Sequence, residues 1–194
     1  MKTLTLLLIA LSTYGQGCLK LDLVVLGDYS GSVMGYQSFV SDAITSLAKG
    51  LELSEEGVKM STIIFNDSPT VVCSLTDSKK EFITQTSALK LMFPVGETYL
   101  LGALKAARDE LFGVKSRDGY NKMIILISDG RIYDTSQSVE AVNELRKLGV
   151  RICTILIKSS TTNEQFLQQI ALDCYVESDY ENLASEINKL DICS

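Results

Sequence analysis

Asp28, Ser30 and Ser32 stand at alternate positions in "GDYSGS", directly after the apolar run "LDLVVL". A second carboxylate, Asp129, follows the apolar run of "KMIILISDGR", and another hydroxyl, Thr98, lies in "PVGETYL". Two carboxylates and three hydroxyls, without nitrogen or sulfur, suit a hard divalent cation. Mg2+ and Mn2+ prefer oxygen, and Mg2+ keeps several of its waters; Ca2+ is a further candidate. In this division the hydroxyls of Ser30, Ser32 and Thr98 bind the ion, while Asp28 and Asp129 act directly or through water. Weak neutral ligands leave such an ion electrophilic, so it can accept a carboxylate from outside. The plainer alternative is that Ser30 or Ser32 merely caps the following helix.

The rest of the sequence excludes other chemistries. The chain has no histidine, which removes Ser-His-Asp and Cys-His nucleophilic machinery and most zinc sites. No C-x-x-C, phosphate loop or G-x-G-x-x-G pattern is present, so redox and nucleotide sites have no support. The net charge is −6 with no basic stripe, which disfavours nucleic acid. A metal-assisted hydrolase on the same residues would need a general base, and only Glu97 offers one. The chain therefore reads as a binding module rather than an enzyme. The alternative is an assembly or scaffold domain with a structural metal, which the same ligands would serve.

The donors need elements that converge. Strands are expected at Lys20–Leu26, Val58–Phe65, Thr70–Leu75, Lys122–Ser128, Val150–Ile157 and Cys174–Glu177. Four are dense in Val, Ile and Leu, as strands buried on both faces of a parallel sheet are. Thr70–Leu75 follows the turn "NDSP" and reads as an antiparallel edge strand. Helical spacing marks Gln37–Leu53, Ser78–Leu91, Leu100–Phe112, Gln137–Leu148, Asn163–Leu172 and Asp179–Leu190. Ser78 with Glu81, and Ser178 with Glu181, have capping-box spacing. Strands alternating with helices imply an α/β fold, a doubly wound and mainly parallel six-stranded sheet with helices on both faces. Ligands of such sheets sit beyond the carboxyl ends of the strands, where strand order reverses. The three loops carrying the oxygen donors all fall on that rim.

The set of segments "DLVVLGDYSGS", "GVKMSTIIFND", "GETYLLGAL" and "KMIILISDGR" resembles the von Willebrand factor type A domain, also called the integrin I domain, over about Leu19 to Cys193. The family's metal-ion-dependent adhesion site reads D-x-S-x-S, then T, then D, and Asp28, Ser30, Ser32, Thr98 and Asp129 fill those places in order. The resemblance implies Mg2+ or Mn2+ at the top of the sheet and capture of a protein or extracellular ligand through an acidic group of the partner. It also implies coupling of ligation to the last helix. Glu97 departs from the pattern, standing where relatives often have glycine. Its open roles are tuning affinity, competing with the partner's acid, or simply facing water as loop charges mostly do. Tyr99 makes the ligand surface less polar than is usual. Tyr29, Tyr36, Arg131 and Tyr133 are candidates to fringe the site, being good contact residues at interfaces.

Residues 1–17 have the form of an export signal: Lys2, the short apolar stretch Leu4–Leu11, then small residues through Gly17. The mature domain would be residues 18–194, secreted or surface-exposed, with no second long apolar segment. Lipidation at Cys18 is disfavoured because Gly15 stands where a leucine-like residue is usual. The first strand starts, and the last helix ends, at the bottom of the sheet. A Cys18–Cys193 bridge is therefore expected, as in several secreted relatives. Cys73, Cys153 and Cys174 read as buried thiols, with a Cys153–Cys174 pairing left open.

Overall fold

A computed structural model describes residues 20–158, 164–171, 173–190 and 192. The leader and the Cys18–Cys193 pairing lie outside the described residues. The strands are β1 (Leu21–Asp28), β2 (Val58–Phe65), β3 (Pro69–Thr76), β4 (Asn121–Ser128), β5 (Val150–Ile157) and β6 (Cys174–Ser178). They form one six-stranded sheet in the order β3-β2-β1-β4-β5-β6. Only the β2–β3 pair is antiparallel. Strand order reverses at β1, which lies between β2 and β4, so the ends of β1 and β4 open side by side.

Helices cover both faces because β1 alternates two apolar sets. Leu23 and Val25 pack with Val40, Ile44 and Leu47 of α1 (Gln37–Gly50), Phe82 of α2 (Lys79–Ser87) and Leu183 and Ile187 of α6 (Leu183–Ile187). Val24 and Leu26 pack with Leu104 and Leu111 of α3 (Leu100–Phe112), Val142 of α4 (Thr135–Lys147) and Leu167 of α5 (Glu164–Ile170). No helix among the described residues is long and apolar enough to cross a membrane.

At the bottom of β1, Asp22 is fully buried and held by two cations. Arg117 Nη2 reaches its Oδ1 at 2.6 Å and Lys122 Nζ its Oδ2 at 2.5 Å. Arg117 also donates to the carbonyls of Leu21 and Gly57 and stacks on the Tyr120 ring, 3.8 Å from its centroid. Such a buried charge is tolerated because each of its oxygens is paired and hydrogen-bonded.

Four expectations need correction. Ser78 does accept the Glu81 N–H, yet α2 stops at Ser87 and residues Ala88–Leu91 tighten into a 3-10 turn. The last helix is short because Asp179 Oδ1 accepts the Asn182 N–H, which uses up the first turn before Leu183. Ser178 is no cap; its hydroxyl donates to the Asp179 carbonyl. Cys153 and Cys174 are joined in a disulfide, with Cα atoms 4.6 Å apart, and only Cys73 among the described cysteines is free. They are register partners on neighbouring parallel strands, whose spacing suits a bridge. Burial pushes the Cys73 thiol up to about 12.

Candidate metal centre

The loop after β1 turns at once into a 3-10 helix, Gly31–Val33. Neither Ser30 nor Ser32 caps a helix: Ser30 makes no side-chain cap bond, and α1 begins later, behind Tyr36. The Ser30 hydroxyl faces the Asp28 carboxylate instead, and the Ser32 hydroxyl faces that of Ser30. Ser30 Oγ donates to Asp28 Oδ1 at 2.7 Å, and Ser30 Oγ and Ser32 Oγ lie 3.0 Å apart. An octahedral shell at 2.0–2.1 Å separates neighbouring ligands by about 2.9 Å. The two hydroxyls are therefore already spaced as adjacent ligands of an ion of Mg2+ size. Ser30, Ser32 and Thr98 line a single small cleft of about 60 Å³, together with Gly96, Glu97, Arg131 and Tyr133.

Asp28 and Asp129 are both 2% exposed and lie behind this cleft. Burial pushes Asp28 up to about 6; hydrogen bonds from Ser30 and Ser128 pull it down, and the Asp129 charge adds to the rise. A carboxylate this reluctant to ionise is a site short of positive charge. An all-oxygen donor set around it fits a hard divalent cation.

Several residues that sequence reasoning passed over hold the loops in register. Ser128, the last residue of β4, donates to Asp28 Oδ2 at 2.7 Å and accepts the Gly130 N–H at 3.0 Å. Asp134 reaches across to the start of α3, where Oδ1 accepts from Leu100 N at 2.9 Å and Oδ2 from Leu101 N at 2.8 Å. This satisfies two free N–H groups and places a negative charge at the positive end of the helix. Tyr133 N–H adds a bond to the Thr98 carbonyl. Asp67, after β2, accepts the Glu97 N–H at 2.8 Å. It packs so close to Gly96 (φ +79°) that a Cβ there would meet Oδ2 at 2.3 Å. Gly31 N–H to the Gly96 carbonyl, 3.0 Å, closes the ring of loops. The only sequence signal for these residues was their place beside strand ends.

The fringe residues divide. Arg131, Glu97 and Tyr133 line the cleft. The Glu97 carboxylate, through a hydrogen bond and its charge, pushes the Tyr133 hydroxyl up. Tyr99 is exposed and its ring lies 5.8 Å from that of Tyr133. Tyr29, expected at the fringe, is instead 1% exposed, and its hydroxyl donates to the Leu89 carbonyl beneath the rim. Tyr36 stacks on Tyr180 at 4.1 Å. Tyr180 was not anticipated; burial and then the charges of Asp129 and Asp28 push its hydroxyl up.

The sequence matches the von Willebrand factor type A domain over residues 22–189. It is 26% identical over 148 residues to the human collagen alpha-5(VI) chain, covering 74% of this chain and 6% of that one. The chain thus spans a small fraction of that curated relative. Among solved structures, the manganese-loaded TRAP protein of Plasmodium vivax superposes with a TM-score of 0.74 at 24% identity, covering 88% of this chain and 73% of that one. Proximal thread matrix protein 1 of the mussel byssus, with zinc occupying its metal-ion-dependent adhesion site, gives 0.74 at 23% identity, covering 88% and 45%.

Proposed function

Starting from the fact that this chain belongs to the von Willebrand factor type A domain family, we propose that it is a divalent-metal-dependent binding module that captures an acidic group of an extracellular partner. The observation that carries this reading is the pair of hydroxyls on Ser30 and Ser32, 3.0 Å apart over the buried, charge-deficient Asp28. Ser30, Ser32 and Thr98 would hold Mg2+ or Mn2+, with Ca2+ a third candidate, and Asp28 and Asp129 would balance its charge directly or through water. The bound ion supplies a Lewis-acidic position for an incoming carboxylate.

The chain's own residues do the remaining work. Ser128 and Ser30 orient the Asp28 carboxylate. Asp134 fixes the start of α3 and with it Thr98. Arg131 gives the cleft one cation for the partner's acid, while Glu97 and Tyr133 narrow its mouth. The cleft hydroxyls of Ser30 and Ser32 are spent on Asp28 and on each other in the spacing of metal ligands, so binding rather than turnover is the proposed activity. The same reading takes residues 1–17 as an export leader and 18–194 as the secreted domain, closed by Cys18–Cys193.

Calorimetric titration of Mn2+ into the purified domain, repeated with Asp28→Ala, tests this. Binding lost in the variant supports it, and equal affinity in both proteins would end it.

A further inference from the structure

The loop that delivers Thr98 also carries a row of apolar side chains turned into solvent. Leu91 is 85% exposed, Phe93 81% and Val95 53%, while Pro94 between them is buried. Single exposed apolar residues need no explanation, but a contiguous exposed run marks an interaction surface. This run is also firmly seated. The Tyr29 hydroxyl holds the Leu89 carbonyl, Met92 N–H returns to Leu89, and Val95 N–H bonds the Tyr29 carbonyl at 3.3 Å. The Gly96 carbonyl then receives Gly31 N–H. The crest is thus tied to the same backbone that presents Ser30, and it ends one residue before the cleft. At the cleft itself the exposed Tyr133 ring, with the exposed Tyr99 ring 5.8 Å from it, adds further apolar surface.

We propose that the crest Leu91–Phe93–Val95 is the second half of the partner-binding surface, and that its occupant is a polypeptide whose metal-directed acidic residue is flanked by apolar side chains. This rests on the metal-dependent reading above, because the cleft fixes where the acid enters. The charges around the crest favour a protein over a lipid surface. Asp67 and Glu97 are exposed beside Gly96, and both would repel anionic headgroups, whereas a peptide can place one carboxylate in the cleft and lay neutral neighbours along the crest. Preorganisation by Tyr29 and Pro94 means little ordering is lost when the crest is covered.

The test is selection of a displayed nine-residue peptide library with one fixed Glu on the Mn2+-loaded protein, compared with L91S/F93S. Both sites are exposed, so an unchanged melting temperature and unchanged Mn2+ affinity are expected in the variant. Supporting results are enrichment of Leu, Ile, Phe or Met beside the Glu, with binding of the selected peptides weakened about 10- to 100-fold in the variant, as for loss of an interface anchor. The inference is overturned, with the metal reading intact, if no peptide is selected, if flanks show no apolar bias, or if selected peptides bind both proteins equally. It is likewise overturned if the crest residues instead drive Mn2+-independent attachment to phosphatidylcholine–phosphatidylserine vesicles, or dimerisation in sedimentation. Absence of Mn2+ binding by the unaltered protein would remove the metal reading and this inference together.

Discussion

Asp28→Asn should make the metal-free protein more stable while destroying the proposed metal site. Burial moves this carboxyl from 3.8 to about 6. At about 1.4 kcal/mol for each tenfold change in proton affinity, keeping it ionised at pH 7 costs on the order of 3 kcal/mol. The substitution removes that charge in nearly the same volume. Its amide would meet Ser128 Oγ, which already accepts Gly130 N–H, and the rearranged hydrogen bond costs about 1 kcal/mol. The expected net gain is about 2 kcal/mol, or roughly 4–8 °C in melting temperature for a domain of this size.

The sign follows from proton counting. Between pH 3.8 and about 6 the folded protein keeps a proton on Asp28 that the unfolded chain has lost. This group's stabilising share is therefore full below pH 3.8 and is lost as pH rises through about 6. Scanning calorimetry in chelator at pH 7 and pH 4 checks this, and the advantage of the variant should vanish at pH 4. With Mn2+ at 100 times its dissociation constant, the unaltered protein should gain about 2.7 kcal/mol and the variant nothing. A variant less stable than the parent at pH 7 in chelator would refute the idea that Asp28 is held at a cost.

Three further outcomes follow from the same geometry. Mn2+ affinity measured between pH 7 and pH 5 should fall below pH 6, approaching tenfold per pH unit, as protons compete for Asp28; a flat profile would contradict this. Asp134→Ala should cost about 1–2 kcal/mol in denaturant unfolding through its lost bonds to α3. It should also weaken Mn2+ binding about tenfold by freeing Thr98, and unchanged Mn2+ affinity would show that the cap does not position the hydroxyl. Replacing both Cys153 and Cys174 with Ser removes a crosslink spanning 21 residues. This should cost about 3 kcal/mol in the chain-entropy treatment and leave calorimetric Mn2+ affinity unchanged, since Cys174 opens β6 at the end of the strand away from the rim.

The sheet was legible because its strands are apolar runs that had to be buried, and two of the candidate donors stand where such runs end. Asp28 and Asp129 mark the ends of β1 and β4, and the spacing of Ser30 and Ser32 survives as a short turn. Ser128, Asp134 and Asp67 were not legible. Each acts on a partner between 30 and 100 residues away, and a single loop acid or strand-end serine has no periodicity to betray it. Tyr29 was misread because it neighbours Asp28 in sequence, while the alternation of an extended chain sends it the opposite way, onto Ile64 and Leu89. The Cys153–Cys174 bridge depended on the register of two parallel strands, which composition does not record.

The pairing of β1 has a mechanical consequence. Its upper end leads into the rim and its lower end is bolted by Asp22 to Arg117 and Lys122. Tension applied between a captured partner and Leu21 would run along this one strand. Eight register pairs to β2 on one side and seven to β4 on the other lie parallel to that pull. They would be loaded together in shear rather than peeled one at a time, so the strand that ends in Asp28 is also the domain's natural tendon.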